Sequence, residues 1–241
     1  MTRIDLSARE WHELIKPVLP HASTDKEMPE LGIIRLELSD TAVCAVATDR
    51  YTLAAERWPY PPGQRPWNGE PAIHVRVTEA KASLGLFPFS KDDDPPLRLT
   101  IDTHPVPIQV VGEPRSVTRL AITVEALDGT RLVLHDVRDP SRDPLATWRK
   151  SLAVALRRTT GRALEGLDIS SAYLARWDAA TRKGERLTVY TGPEPGDPLL
   201  ILAEKHFAGV WSLPRYLDGP GRALAESPWR HELALDGDDD T

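Results

Sequence analysis

The chain has one cysteine, Cys44, among 241 residues, and it has no long hydrophobic run. One cysteine cannot form an intrachain disulfide, which excludes a disulfide-stabilised secreted fold and favours a reducing compartment. No eighteen apolar residues occur in succession, and residues 1–7 lack the apolar stretch of a signal peptide. We therefore predict a soluble cytoplasmic protein with no membrane contact.

Catalytic and cofactor-binding fingerprints are also missing. The seven histidines show no metal-binding spacing, and no nucleophile elbow, phosphate-binding loop or dinucleotide fingerprint occurs. Asp92, Asp93 and Asp94 precede two prolines, and we interpret them as a solvated loop rather than a metal site. The sequence predicts no enzyme activity, no metal and no cofactor.

Acidic residues outnumber basic ones outside one segment. The net charge is −6, yet residues 144–186 contain nine basic and four acidic residues, which gives this segment +5 and the remainder −11. A basic surface on an acidic body allows contact with phosphates on one side only. A solvated helix surface explains the same charges equally well.

One pattern occurs three times along the chain. Three predicted strand-to-helix junctions read apolar, charged, apolar, hydroxyl: Ile4–Ser7, Val75–Thr78 and Leu167–Ser170. In each, the hydroxyl residue is expected to be the N-cap of the helix that follows. Ser7 and Glu10 have the spacing of a capping box, and Pro17 and Pro20 should kink and then end the first helix.

Alternating apolar residues predict strands after each helix. The predicted strands are Ile33–Leu38, Ala42–Ala47, Tyr51–Arg57, Leu97–Ile101, Ile108–Val111, Leu120–Ala126, Arg131–Val137, Arg186–Tyr190, Leu199–Glu204 and Phe207–Leu213. Asp128–Gly129 is a hairpin-turn signal. A further helix is expected to begin near Ser151, with Leu145, Trp148, Leu152 and Leu156 on its apolar side and Lys150, Arg157 and Arg158 on the other.

The most specific feature is the predicted hairpin at residues 45–58, A-V-A-T-D-R-Y-T-L-A-A-E-R-W. Thr48 and Asp49 alone are ordinary turn residues, because their oxygens accept hydrogen bonds from nearby backbone N–H groups. The whole run, however, resembles the A-T-D-x-x-R/T-L-A hairpin of bacterial sliding clamps, the β subunits of DNA polymerase III.

Two later segments extend this resemblance over most of the chain. Trp148–Leu152 resembles the aromatic-Arg-Arg-hydrophobic stretch that closes a clamp domain, although Ala146 and Thr147 stand where Pro-Asp is usual. Phe207–Arg215 resembles the closing strand with its M-P-x-R ending. The resemblance implies an α+β DNA-clamp fold, built from repeated strand-helix-strands units with antiparallel sheets on one side and helices on the other.

The chain is short for that family. Bacterial clamps have six units per chain, and only three are recognisable here. We predict a clamp-like domain at residues 1–143, made of units 1–60 and 70–143. A linker helix and a third unit should follow at residues 144–217, and a disordered acidic tail at residues 218–241.

The resemblance implies a processivity or recruitment factor of DNA replication or repair. Its hydrophobic pocket would take short linear motifs of DNA polymerase, repair or clamp-loader proteins, since an apolar anchor gains affinity by filling a preformed slot. Carried over to this sequence, the pocket residues are Thr48, Arg50, Tyr51, Thr52, Leu53, Leu152, Val210 and Leu213. Core packing is an equally good explanation for Leu53 and Leu152.

Double-stranded DNA is the second implied partner. The candidate phosphate contacts are Lys150, Arg157, Arg158, Arg162, Arg176, Arg182 and Lys183. Three units cannot enclose a duplex alone, so we predict a homo-oligomer. The alternatives are a degenerate clamp paralogue that acts as an adaptor or inhibitor without encircling DNA, and an unrelated α+β enzyme that shares the hairpin.

Overall fold

The computed structural model describes residues 2–39, 41–61, 72–110, 113–137, 143–158, 171–192 and 197–212. The helices are α1 (Ala8–Ile15), α2 (Val77–Leu86), α3 (Trp148–Arg158) and α4 (Ser171–Asp178). The strands are β1 (Thr2–Ser7), β2 (Ile33–Leu38), β3 (Ala42–Thr48), β4 (Thr52–Pro59), β5 (Ala72–Arg76), β6 (Pro96–Val110), β7 (Glu113–Ala126), β8 (Arg131–His135), β9 (Leu187–Tyr190), β10 (Leu199–Ala203) and β11 (Phe207–Trp211). Among the described helices, none is long and apolar enough to cross a membrane.

The strands form two antiparallel sheets. One has four strands in the order β1-β6-β7-β8, and the other has seven in the order β5-β2-β3-β4-β11-β10-β9. The predicted first and third units meet in the larger sheet, where β4 pairs with β11 and Leu53 lies opposite Val210. The division of the chain at residue 143 stays a prediction, and the acidic tail lies outside the described residues.

Helix α1 begins as the sequence predicts but ends earlier. The Ser7 hydroxyl accepts a hydrogen bond from the Glu10 amide, and the Glu10 carboxylate accepts one from the Ser7 amide, so the capping box is present. The helix ends at Ile15, without the predicted kink at Pro17. Lys16 still has helical φ and ψ, but Pro17 has no N–H to donate to the carbonyl four residues back, so the helical hydrogen bonds stop there.

The second helix differs from the prediction at its first turn. Arg76, not Thr78, occupies the N-cap position, and its side chain makes no capping hydrogen bond. Burial fixes this start instead: Ile73 and Val75 of β5 are buried, and so is Ala80 one turn into the helix. The third predicted junction, Leu167–Ser170, lies outside the described residues.

Helix α3 begins at Trp148, three residues before the predicted start. The Trp148 indole Nε1 donates a hydrogen bond to Glu37 on β2, which brings the helix N-terminus onto the sheet. Its buried side is formed by Trp148, Leu152 and Ala155, whereas Leu156 is 49% exposed. The predicted apolar face is therefore wrong at Leu156, because contact with the sheet and not periodicity alone selects the buried positions.

Side chains alternate between the two faces of the seven-stranded sheet. Ala45 and Ala47 of β3 belong to the main core, which contains residues of α1, α2, α4 and the four-stranded sheet. Val46 points the opposite way and packs with Trp148 of α3. We call these the inner face and the outer face. Helices α1, α2 and α4 cover the inner face, and α3 covers the outer one.

Candidate functional site

The turn between β3 and β4, residues 48–52, is held by its own side chains, and we call it the corner. The Asp49 carboxylate oxygen Oδ1 accepts hydrogen bonds from the Tyr51 amide at 3.0 Å, the Thr52 amide at 2.7 Å and the Thr52 hydroxyl at 2.9 Å. The Thr48 hydroxyl donates to the Thr52 carbonyl and accepts from the Arg50 amide. Arg50 has a φ of 80°, a left-handed conformation that these bonds stabilise.

Asp49 is also paired with a distant cation. Arg176 Nη1, on α4, donates to the other carboxylate oxygen, Oδ2. Burial by itself would raise the pKa of Asp49, but the hydrogen bonds from Arg176 and Thr52 outweigh it and hold the pKa below its usual value. Asp49 is therefore an ionised, 8% exposed carboxylate at the centre of the corner.

Thr52 connects the corner to the core. Its hydroxyl proton is committed to Asp49, so the His21 ring nitrogen Nδ1, 3.1 Å away, must be the donor to the same oxygen. Burial, reinforced by the charge of Arg176, lowers the pKa of His21 to about 4 and keeps the ring neutral. Thr52 is 1% exposed and lies on the inner side, so its contribution to a pocket is indirect.

The structure brings three predicted pocket residues together on the outer face. Leu53, Leu152 and Val210 form an apolar cluster with Ala155 and Leu200. Leu53 and Leu152 are only partly buried, so the cluster keeps accessible apolar surface. Two other predicted pocket residues, Arg50 and Tyr51, are exposed at the corner. Leu213 lies outside the described residues.

An ionic network anchors α3 beside this cluster. Glu37 accepts hydrogen bonds from Arg35 at 3.0 Å, from Trp148 at 3.0 Å and from Arg149 at 2.8 Å. Burial would raise the pKa of Glu37, but these three donors bring it below its usual value. The Arg149 guanidinium also lies over the Trp148 ring, 4.4 Å from its centroid. The Trp148–Leu152 motif is thus explained by attachment to β2.

A cleft of about 1110 Å³ lies along α3 on the outer face. Its wall includes Leu152 and the exposed Leu156, and its rim carries Arg57, Arg149 and Lys205. Leu152 is the one predicted pocket residue that lines it. Sequence analysis missed this cleft, because the exposure of Leu156 depends on how α3 packs against the sheet, and helical periodicity places Leu156 on the buried side.

The predicted phosphate contacts are divided between the two faces. Lys150 and Arg157 are exposed on α3, whereas Lys183 is exposed in the loop after α4. Arg176 pairs with Asp49, and Arg182 pairs with Glu13 at 3.3 Å and Glu56 at 3.4 Å. The Arg158 side chain and Arg162 lie outside the described part of the chain. The five of these residues whose side chains are described therefore do not form one continuous basic surface.

A titratable cluster joins the third unit to the first on the inner face. The His206 nitrogens Nδ1 and Nε2 each lie 3.0 Å from a carboxylate, that of Glu56 and that of Glu185. Burial raises the pKa of Glu56 to about 7, and the hydrogen bond to Glu56 raises the pKa of His206. Within the described ranges, no group of His, Cys, Asp and Glu side chains could hold a metal ion.

Two antiparallel sheets share a core with α1, α2 and α4, and this is the arrangement of a DNA-clamp fold. Solved structures that share it include the following three. The DNA polymerase sliding clamp from Bacillus subtilis is 11% identical, with a TM-score of 0.60, over 89% of this chain and 64% of that chain. The DNA polymerase III subunit beta from Pseudomonas aeruginosa is 13% identical, with a TM-score of 0.60, over 89% and 67%. A putative DNA polymerase III beta subunit from Eubacterium rectale is 11% identical, with a TM-score of 0.61, over 91% and 66%.

The predicted α+β DNA-clamp fold is therefore confirmed, and so is the small size of the chain. It spans 64% to 67% of the length of those clamps. No family model matches the sequence, and no curated protein matches it. At 11% to 13% identity the likeness concerns the fold.

Proposed function

We propose that this protein is a clamp-like processivity or recruitment factor of DNA replication or repair that catalyses no reaction. The observation that carries the proposal is the fold, which matches that of DNA polymerase sliding clamps over 89% of the chain. We further propose that it works in the cytoplasm and binds short linear motifs of polymerase, repair or clamp-loader proteins.

The apolar cluster on the outer face supports peptide binding. Leu53, Leu152 and Val210 come from three separate segments, and two of them keep accessible apolar surface beside the polar corner. Such a slot suits an anchor of two or three apolar residues, because affinity comes from apolar side chains buried within a polar rim. We call this cluster the peptide pocket.

Changing Leu53 to Asp should weaken capture of an apolar pentapeptide by about tenfold or more, because a carboxylate would face the apolar anchor. Val189→Asp is the matched control. Val189 is 37% exposed, and it pairs with Ile201, which belongs to the inner-face core. Fluorescence anisotropy with a labelled peptide measures the difference. Equal peptide affinities of Leu53→Asp and wild type would rule out this cluster as the peptide-binding site.

The DNA partner and the oligomer are tested together. If several copies close a ring, the protein should be retained on closed circular duplex DNA and lost after the circle is linearised. The solution mass at micromolar concentration should then be a multiple of 26.8 kDa. A strict monomer, or equal retention on circular and linear DNA, would contradict the ring.

One observation favours the second candidate, an adaptor or inhibitor that does not encircle DNA. Two of the predicted phosphate contacts, Arg176 and Arg182, are already engaged by carboxylates of the first unit. A guanidinium paired in this way contributes little to the counterion release that drives phosphate binding. A monomer that binds the peptide and shows no retention on circles would establish this candidate.

A further inference from the structure

We propose that Arg176 is a positioning residue that holds the corner, residues 48–52, in the conformation that the peptide pocket requires. The part that concerns the pocket rests on the peptide-binding function proposed above. The role assigned to Arg176 differs from the phosphate contact that its charge predicts. It places control of the pocket in α4, on the opposite face of the sheet.

The first argument is the hydrogen bonding of the corner. All three donors from Tyr51 and Thr52 converge on one oxygen of Asp49, and Arg176 binds the other oxygen. The corner is thus organised by a single carboxylate that is 8% exposed. A buried carboxylate needs a paired cation, and removing one partner of such a pair leaves an uncompensated charge. Loss of Arg176 should therefore release the corner rather than leave it unchanged.

The second argument is the packing around the arginine. The Arg176 guanidinium lies over the Tyr173 ring, 4.3 Å from its centroid. Tyr173 in turn stacks on Trp211 at 5.9 Å and meets Tyr51 edge-on at 6.3 Å. The Arg176 guanidinium therefore lies on a ring that is itself packed against Trp211, and this contact helps to keep it beside Asp49.

The third argument is the short path from the corner to the pocket. Thr52 lies opposite Trp211 and Leu53 lies opposite Val210 in the β4–β11 pairing. The Ser212 amide also donates to the Tyr51 carbonyl at 2.8 Å. A shift of the corner therefore moves the start of β4 relative to β11. Leu53 on β4 and Val210 on β11 are both members of the peptide pocket, so the pocket changes shape.

Hydrogen exchange of Arg176→Met tests the positioning directly. The Tyr51 and Thr52 amides should exchange about tenfold faster, because a charge-assisted hydrogen bond to the carboxylate that holds them is lost. Amides in β3 should keep their wild-type exchange, and the Tyr51 and Thr52 amides should keep theirs in Arg131→Met, which removes an exposed arginine of β8 in the other sheet. Unchanged exchange at Tyr51 and Thr52 would overturn the proposal.

A double-variant comparison separates positioning from general loss of stability. In an Asp49→Asn background, Arg176→Met should add little further exchange at the corner, since both changes remove the same pair. A full additional effect in that background would overturn the proposal, because Arg176 would then act through other contacts.

Peptide binding supplies the functional readout, with the fluorescein-labelled pentapeptide Gly-Ser-Leu-Leu-Phe as the probe. Its Kd should rise about tenfold in Arg176→Met and stay unchanged in Arg131→Met. If wild type does not bind the probe while corner exchange still rises in Arg176→Met, the positioning role stands and the proposed peptide function fails. A salt slope for duplex DNA that falls by about one in Arg176→Met would instead identify a phosphate contact and overturn the proposal.

Discussion

Trp177→Ala should lower the free energy of unfolding by about 3–5 kcal/mol, the cost of removing a buried tryptophan from a close-packed core. Trp177, on α4, is 1% exposed and packs against His21, Phe207 and Trp211. Its ring also lies directly against the backbone of β11 at Gly209. Urea unfolding followed by far-UV circular dichroism measures the loss without depending on tryptophan fluorescence.

Gly209 is required by the same contact. A Cβ atom at residue 209 would lie 2.3 Å from Trp177 Cζ3 and 2.8 Å from Cη2. The buried Trp177 indole cannot move away without disturbing the core around it. Gly209→Ala should therefore lower the free energy of unfolding by about 1–3 kcal/mol through overpacking. Combining it with Trp177→Phe should recover part of that loss relative to Trp177→Phe alone.

Gly85→Ala, on α2, is the matched control. A Cβ at residue 85 meets nothing within 4 Å, and alanine is the better helix former, so this variant should be neutral or slightly more stable. If Gly209→Ala is as stable as Gly85→Ala, the close approach of Trp177 to β11 does not limit packing.

The second large effect is a loss of stability as the pH rises above 6.5, at up to about 1.4 kcal/mol per pH unit for each proton released. Burial raises the pKa of Glu56 to about 7 from its usual 4.5, and the hydrogen bond to Glu56 raises the pKa of His206. The folded cluster therefore holds protons that the unfolded chain has already lost. Stability from a raised pKa is complete below the unfolded value and disappears as the pH passes the folded one.

His21 has the opposite slope, and it offsets the part of the Glu56 contribution that falls below pH 6.5. Burial lowers its pKa from 6.5 to about 4, so the unfolded chain binds the extra proton and stability rises with pH over that range. Glu56 lowers stability between pH 4.5 and about 7, so the two contributions nearly cancel up to pH 6.5. The wild-type profile should be flat there and fall above it.

Glu56→Gln should expose the cancellation, because the amide mimics the neutral carboxyl group. Stability of this variant should rise from pH 4.5 to 6.5 and fall less above pH 6.5, as measured by urea unfolding at each pH. Glu204→Gln, an exposed glutamate between β10 and β11, should keep the wild-type profile. Identical profiles for Glu56→Gln and wild type would show that the buried carboxyl group does not control this pH dependence.

Local patterns in the sequence were enough for much of the fold. The Ser7–Glu10 capping box, the hairpin of β3 and β4, and the β10–β11 pair all depend on residues within a few positions of one another. Alternation also identified Leu53 and Val210 as apolar strand residues. Hydrophobic spacing did not locate the start of α3, since a hydrogen bond from Trp148 to Glu37, 111 residues away, decides it.

The same division applies to the candidate site. The Thr48–Asp49 pair, the three repeated units and the basic segment are properties of the sequence itself, because short-range hydrogen bonding, periodicity and charge can be read along the chain. Only the tertiary structure decided that Arg176 and Arg182 are paired with carboxylates, and that Lys150 and Arg157 lie on the other face from α4. Arg176 and Asp49 are 127 residues apart, and no local pattern records which cation will neutralise a buried carboxylate. That choice is made when β4 pairs with β11 and Trp177 packs against Gly209, which brings α4 to the corner.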